Sequence, residues 1–187
     1  MIEGLDIYPD FLSDVDKIRK HALLSEFRDF NGPDGETYKR VAVLNVPGVQ
    51  AKLEELYGPI HMLGQGYRLN YTSELPNHSI HSDLGWGTRA LVYYLSEGRG
   101  GTAFWKHHKT QAIDIYADDV DLLDKVKDDW NNVDAWEMRY QVDMMYGTAI
   151  VYNSSLFHSR WPFPAFGTTP ETGRLIAVAF FTPESDL

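Results

Sequence analysis

The sequence contains no cysteine in its 187 residues. Disulfide bonds and thiolate metal sites are therefore excluded, so any metal ion must be held by nitrogen and oxygen atoms. A chain without cysteine also fits a reducing compartment, and we expect a cytoplasmic protein. Long apolar runs are absent too, which predicts no transmembrane helix. The first residues lack the basic and apolar regions of a secretory signal.

Positive charge is scarce in this sequence. Lysine and arginine together number 17, against 27 aspartates and glutamates, which gives a formal net charge of −10. Binding to a nucleic-acid backbone depends on clustered basic side chains, and the sequence has no such cluster. We therefore expect no nucleic-acid partner and no membrane partner. No repeat or pattern indicates an oligomeric state.

Apolar and aromatic residues are plentiful enough for a sizeable core, at 43% hydrophobic and 13% aromatic. The length suits a single domain spanning residues 1–187. Two short segments with apolar residues at helical spacing come first, and short runs rich in β-branched and aromatic residues follow from Ile60 onward. This order predicts an α+β, mainly β fold: a double-stranded β-helix (jelly roll) with helices packed on one side.

One segment, residues 106–143, interrupts the run of strands. It is acidic, and Leu122, Val126 and Trp130 recur in it at helical spacing. We interpret this segment as a helical insertion that lies over one edge of the strands.

The most informative short motif is His81-Ser82-Asp83. In an extended strand, residues two apart point to the same face, so the imidazole and the carboxylate stand side by side. Together they supply two thirds of the 2-His-1-carboxylate triad that holds non-heme Fe(II) and leaves coordination positions open. His158 is the best candidate for the missing ligand, because it follows an apolar strand far along the chain.

Other interpretations of these residues stay open at this point. His81 and Asp83 could form an ion pair in a loop, and His158 could be a hydrogen-bonded core histidine. Four other histidines compete with His158 for the third position: His61, His78, His107 and His108.

Several elements in a fixed order carry a resemblance to a known family. The elements are His81-Ser82-Asp83, the apolar strand LVYYLS at 91–96, the turn and strand GGTAF at 100–104, His158 after an apolar strand, and GRLIAV at 173–178. In this order they resemble the Fe(II)- and 2-oxoglutarate-dependent dioxygenases, in particular their prolyl-hydroxylase-like branch. The resemblance covers about residues 71 to 181, with a gap at the acidic segment.

The resemblance implies a role for each matching residue. His81, Asp83 and His158 would bind Fe(II), and Arg174 would pair with the C5 carboxylate of the cosubstrate 2-oxoglutarate. Tyr94 would hydrogen-bond that same carboxylate, and Tyr71 would lie near the cosubstrate. Arg160 is the main rival of Arg174, and both tyrosines could instead be packing aromatics.

The resemblance also implies a reaction. The enzyme would hydroxylate an unactivated C–H bond of a peptidyl residue, an amino acid or a small metabolite, and would release succinate and CO2. Because the carboxylate ligand Asp83 is present, hydroxylation is expected rather than halogenation. Two alternatives remain: a cupin-type metal-binding jelly roll that uses no 2-oxo acid, and a non-catalytic binding module of the same fold.

Overall fold

The computed structural model describes residues 2–32, 35–74 and 80–187. Within these ranges the chain forms ten strands and three α-helices. The strands are β1 Leu5–Tyr8, β2 Arg28–Asn31, β3 Thr37–Val43, β4 Ile60–Asn70, β5 Arg89–Tyr94, β6 Gly101–His107, β7 Trp136–Asp143, β8 Ala149–Asn153, β9 His158–Trp161 and β10 Arg174–Pro183. The helices are α1 Val15–Leu23, α2 Val49–Tyr57 and α3 Val120–Val126. None of the helices in the described ranges is long and apolar enough to cross a membrane.

The strands form two antiparallel sheets. The major sheet has seven strands in the order β1-β8-β5-β10-β4-β3-β2, and the minor sheet has three in the order β7-β6-β9. Several neighbours in the sheets are far apart along the chain, as in the pairing of β10 with both β4 and β5. The predicted mainly β jelly roll is therefore confirmed.

Residue parity decides which face of the major sheet each side chain occupies, because successive strand residues point to opposite faces. Tyr67, Leu91 and Leu175 belong to a core cluster that includes Ile18 of α1 and Leu53 of α2. Their even-numbered neighbours, such as Val92 and Ile176, belong to a second cluster that includes Phe104 of the minor sheet. The first face thus packs on the helices, and the second faces the interior between the sheets.

The segment 106–143 differs in part from the predicted helical insertion. Helix α3 is short, and the end of the segment is strand β7, which pairs with β6. The alternation of Trp136, Met138, Tyr140 and Val142 has the period of a strand and explains this outcome. Val126 and Trp136 pack in a third apolar cluster against the minor sheet, so this segment is attached to the fold.

Candidate active site

Two backbone hydrogen bonds between His81 and His158 bring the motif at residues 81–83 next to the start of β9. The amide of His81 donates to the carbonyl of His158 at 3.0 Å, and the amide of His158 donates to the carbonyl of His81 at 2.8 Å. The amide of Asp83 donates to the carbonyl of Ser154, the residue after the end of β8, at 2.8 Å. Backbone pairing therefore holds the motif of residues 81–83 against β9.

The side chains of His81, Asp83 and His158 gather at this point. Each offers one ligand atom, and these atoms all lie within 4.8 Å of one another. Nε2 of His158 is 3.3 Å from Oδ2 of Asp83, and Nε2 of His81 is 3.9 Å from Oδ1 of the same carboxylate. Adjacent ligands on an octahedral ion with bonds near 2.1 Å are about 3 Å apart, so the three donors must draw in slightly around an ion.

Hydrogen bonding determines which nitrogen of His158 can bind a metal. Nδ1 lies 2.9 Å from the carbonyl oxygen of Leu156. A carbonyl only accepts, so Nδ1 carries the hydrogen and Nε2 of the neutral ring keeps its lone pair. That lone pair points toward Asp83, as a metal ligand requires.

Tyr152 completes the immediate surroundings of the cluster. Its hydroxyl lies 3.0 Å from Oδ2 of Asp83 and 3.0 Å from Nε2 of His158. A single phenolic hydrogen cannot serve both atoms, so a donation to Asp83 leaves the oxygen free to accept from a protonated Nε2. A proton on Nε2 would therefore lie where a metal ion would lie.

The electrostatics of the cluster agree with this arrangement. Burial alone would raise the pKa of Asp83, but the charges of His158 and His81 and the hydrogen bonds from His158 and Tyr152 outweigh burial and lower it to about 2. Burial alone would lower the pKa of His158, but the charge of Asp83 and its hydrogen bond raise that pKa above its ordinary value of 6.5. Asp83 is therefore an anion at neutral pH and attracts a cation, whether a proton or a metal ion.

The competing histidines lie elsewhere. Nε2 of His107 is 3.1 Å from Asp129, and its ring packs on Trp136 with 4.8 Å between ring centres, so it ties β6 to the segment after α3. His61 and His108 are exposed, and His78 lies outside the described residues. Across residues 2–32, 35–74 and 80–187, the cluster of His81, Asp83 and His158 is the one group of three or more side chains that could hold a metal ion.

The cluster opens onto a cavity between the sheets, of about 780 Å³ including space open to solvent. Three arginines line this cavity, namely Arg68, Arg160 and Arg174. Arg174 is 5% exposed. Burial, together with the charge of Arg68, lowers its pKa to about 10, so it stays a cation at neutral pH. A buried cation of this kind is costly unless an anion accompanies it.

Arg160, the rival of Arg174, is already engaged. Its Nε donates to the carbonyl oxygen of Phe163 at 2.7 Å, and its guanidinium also donates to the carbonyl of Glu74 at 3.0 Å. Arg174, by contrast, makes no side-chain hydrogen bond within the described part of the chain, and its buried Nε has no partner there. The geometry favours Arg174 as the anion site.

The two predicted tyrosines have different positions. Tyr94 is fully buried on the interior face, and its hydroxyl bonds at 2.8 Å to that of Thr102, which lines the cavity. Tyr71 lies on the opposite face: it packs against the cluster shared with the helices, with the Arg40 guanidinium 4.3 Å from its ring centre. Its odd number gives it the parity of Leu69 rather than of Asn70. The expected cosubstrate contact of Tyr71 is therefore not supported.

Sequence reasoning missed Tyr152 and Arg68. Each alternates with apolar residues that face the helices, namely Val151 on β8 and Tyr67 and Leu69 on β4. The signal that could have identified both is a polar residue at a position of an apolar strand whose side chain points to the interior face. That signal requires knowing which face is interior, and the sequence alone does not supply this.

Comparison of the sequence with known proteins finds no matching protein-family model and no matching curated protein. Solved structures do match. AviO1 from Streptomyces viridochromogenes is 14% identical with a TM-score of 0.57, over 95% of this chain and 89% of that one.

Two further matches are described with bound ligands. The epimerase SnoN, in complex with Fe3+, alpha ketoglutarate and nogalamycin RO, is 16% identical with a TM-score of 0.57, over 95% of this chain and 78% of that one. HygX from Streptomyces hygroscopicus, with nickel, 2-oxoglutarate and hygromycin B bound, is 14% identical with a TM-score of 0.56, over 97% of this chain and 82% of that one.

At sequence identities this low, the structural matches show a shared fold. The narrower resemblance to the prolyl-hydroxylase-like branch stays a prediction. The chain has the jelly-roll fold of non-heme, alpha ketoglutarate-dependent enzymes such as SnoN.

Proposed function

We propose that this protein is an Fe(II)- and 2-oxoglutarate-dependent oxygenase that hydroxylates an unactivated C–H bond. One observation carries the proposal: the cluster of His81, Asp83 and His158 opens onto the same cavity as the buried, unpaired Arg174. A metal site and an anion site in one cavity suit a cosubstrate that chelates a metal at one end and carries a carboxylate at the other.

The donor set supports Fe(II) as the metal. Two imidazole nitrogens and one carboxylate oxygen form the facial set typical of non-heme Fe(II) oxygenases. When bound, iron with the 2-oxo acid supplies the oxidation: O2 and 2-oxoglutarate are consumed, one oxygen atom enters the substrate C–H bond, and the other leaves in succinate as CO2 is lost. The protein's part is to hold the ion on one side, so that positions facing the cavity stay open.

Arg174 supports 2-oxoglutarate as the cosubstrate. A guanidinium matches a carboxylate with two parallel hydrogen bonds, and these are strong in a buried site. Arg174 is the first residue of β10, and its side chain is on the interior face. The nearby Tyr94 side chain favours the charged form of Arg174. We infer that Arg174 orients the cosubstrate and that the surrounding apolar side chains exclude water from the salt bridge.

A small molecule is the favoured substrate class. Val92, Ile176, Val178 and Phe180 give the cavity an apolar wall. The similar enzymes SnoN and HygX are described with the small molecules nogalamycin RO and hygromycin B. SnoN is described as an epimerase, so enzymes of this fold catalyse outcomes other than hydroxylation. A peptide is the alternative substrate class, and candidates of both classes should be included in the activity test.

The test is the release of succinate from 2-oxoglutarate in the presence of Fe(II) and O2, measured with and without candidate substrates. We expect turnover by the wild-type protein and none by His81→Ala. His61→Ala is the matched control, since His61 is an exposed histidine on β4 outside the cavity, and it should retain full turnover.

Two results would contradict the proposal. Wild-type protein loaded with Fe(II) that neither binds 2-oxoglutarate nor releases succinate would exclude the oxygenase function. Metal-dependent activity that survives Arg174→Gln unchanged would instead indicate a cupin-type enzyme that uses no 2-oxo acid.

A further inference from the structure

The cavity holds a second guanidinium that the proposed function leaves unassigned. Arg68 lies on β4, next to β10 in the major sheet. In the register of these strands, Arg174 pairs with Asn70 and Ile176 pairs with Arg68. Arg68 and Arg174 are thus diagonal neighbours with the same interior parity, and both line the cavity.

Arg68 has no counter-ion. Within residues 2–32, 35–74 and 80–187 its side chain makes no hydrogen bond or ion pair, and its Nε is buried without a partner. Two other arginines of the same sheet are paired, Arg40 with Glu74 and Arg89 with Asp186. A buried polar group without a partner in the protein commonly has one in a ligand.

The charges around Arg68 locate it between the two ends of the site. Its positive charge acts unfavourably on Arg174 at one end. The negative charge of Asp83 acts favourably on Arg68 from the metal end. Asp83 is the one carboxylate among the described residues that line the cavity, and it is committed to the metal cluster. Two guanidiniums therefore face a space with no anion of its own to balance them.

Two guanidiniums that line one cavity suit a dicarboxylate, with one carboxylate at each guanidinium. Tyr38 supports the position of Arg68, because its ring centre lies 5.0 Å from the guanidinium carbon. A guanidinium stacked on an aromatic ring keeps its edge, which carries the N–H groups, available to a carboxylate.

We propose that Arg68 is the second cosubstrate-binding arginine, which binds the metal-side (C1) carboxylate of 2-oxoglutarate while Arg174 binds the distal (C5) carboxylate. This inference rests on the proposed function. It assigns to the chain two separate carboxylate sites, so each variant should affect one end of the ligand and not the other.

The test compares two ligands on metal-loaded protein without O2, with Mn(II) as the metal. The ligands are 2-oxoglutarate and 2-oxopentanoate, which replaces the distal carboxylate with a methyl group. Affinities are measured by calorimetric titration, with 2-oxopentanoate measured by displacement. Arg174→Gln should weaken 2-oxoglutarate by about tenfold or more and leave 2-oxopentanoate unchanged, whereas Arg68→Gln should weaken both ligands by a similar factor of about ten.

Further variants separate binding from folding. Arg68→Lys keeps the charge without the paired donors and should restore part of the lost affinity. Arg89→Gln, which removes an arginine paired with Asp186 outside the cavity, should leave both affinities unchanged. Arg68→Gln should also raise the melting temperature of the metal-free protein, since it removes a buried cation without a partner.

Three outcomes would overturn the inference, and each has its own meaning. If Arg68→Gln leaves both affinities unchanged, Arg68 serves an anionic substrate instead. If it weakens 2-oxoglutarate alone, Arg68 belongs to the distal carboxylate. If wild-type protein binds Mn(II) but neither 2-oxo acid, the proposed function fails and the assignment of Arg68 fails with it.

Discussion

At the scale of single residues, the site is a place where a proton and a metal ion compete. Nδ1 of His158 is fixed as a donor by Leu156, so Nε2 is the position where either cation binds. Asp83 attracts both, since its pKa is lowered to about 2, chiefly by the histidines that outweigh the effect of burial. The metal-free protein is therefore prepared for a divalent cation by groups that otherwise share a proton.

Tyr152→Phe tests how the phenol takes part in this competition. In the metal-free protein it should lower the free energy of unfolding by about 1–2 kcal/mol, since the hydrogen bonds at 3.0 Å to Asp83 and His158 are lost. With saturating Mn(II) the loss should shrink, because the ion takes over the same two atoms. Chemical denaturation with chelator and with metal measures both values.

Tyr94→Phe is the control for that variant, because its hydroxyl bonds to Thr102 and touches no metal ligand. Its loss of stability should be the same with and without metal. If the loss in Tyr152→Phe is also independent of metal, the hydroxyl stabilises the fold without taking part in the competition for the cation.

The raised pKa of His158 predicts how the stability of the metal-free protein depends on pH. Burial opposes protonation, but the charge and hydrogen bond of Asp83 outweigh it and raise the folded pKa above 6.5. The stabilising contribution is therefore complete below pH 6.5 and is lost as pH rises through the folded pKa. Melting temperatures in chelator should fall in wild-type protein as the pH rises above 6.5 through the folded pKa, and more weakly in His158→Gln.

His61→Gln serves as the control for this profile, because His61 is exposed and outside the cavity. It should follow the wild-type curve. Identical curves for wild-type protein and His158→Gln would mean that the ring is not protonated in the folded, metal-free state.

At the scale of elements, parity along strands explains which expectations succeeded. The jelly-roll class and the strands that carry His158 and Arg174 were predictable, because the apolar runs that form these strands are visible in the sequence. Tyr71 and Arg68 depend instead on which face of β4 is interior, and this is decided by helices α1 and α2 packing on the odd-numbered residues. Long-range packing of that kind leaves no local signal in the sequence, so the face of Tyr71 was not predictable from spacing.

Strand β7 illustrates a second kind of limit. Acidic residues and helical spacing dominate the first part of 106–143, while the strand at its end, Trp136–Asp143, alternates apolar and polar residues. Its pairing with β6 in the minor sheet stabilises it as a strand. The alternation is visible in the sequence, but the strand with which it pairs is not.

Glycines on β4 give a matched test of the sheet. A methyl group at Gly66 would lie 2.2 Å from the carbonyl oxygen of Ala42 on β3, whereas at Gly64 the nearest atom belongs to Trp86 at 3.7 Å. Gly66→Ala should therefore lower the free energy of unfolding by about 1–3 kcal/mol, as overpacking against a rigid backbone does. Gly64→Ala should change it by about 0.5 kcal/mol or less. Equal effects in urea denaturation would show that β3 does not approach β4 so closely.

At the scale of the whole molecule, a chain with a net charge of −10 encloses a cavity lined by three arginines. The surplus negative charge lies outside the cavity, and the surplus positive charge lies within it. The proposed anionic cosubstrate would therefore be held by local guanidiniums and the metal ion, despite the sign of the overall charge. Since the chelating end of a 2-oxo acid needs an ion to bind, we expect the metal to bind before the 2-oxo acid.

Ligand-induced stabilisation tests that order. Metal with 2-oxoglutarate, each at about a hundredfold excess over its dissociation constant, should add about 2.7 kcal/mol per ligand, and each such step should raise the melting temperature by roughly 5–10 °C in a domain of this size. 2-Oxoglutarate without metal should add little, because its chelating end has no ion to bind. Scanning calorimetry in the four conditions measures this, and equal shifts by 2-oxoglutarate with and without metal would contradict an order in which metal precedes cosubstrate.

The proposed function requires that one ion is shared by His81, Asp83 and His158. A crystal structure of the protein grown with Mn(II) and 2-oxoglutarate, with anomalous diffraction to locate the metal, would show whether it is. We expect a single strong peak bonded to both imidazoles and the Asp83 carboxylate, with the cosubstrate reaching from that ion to Arg174. A metal peak elsewhere, or a His158 ring out of bonding distance from the ion, would contradict it.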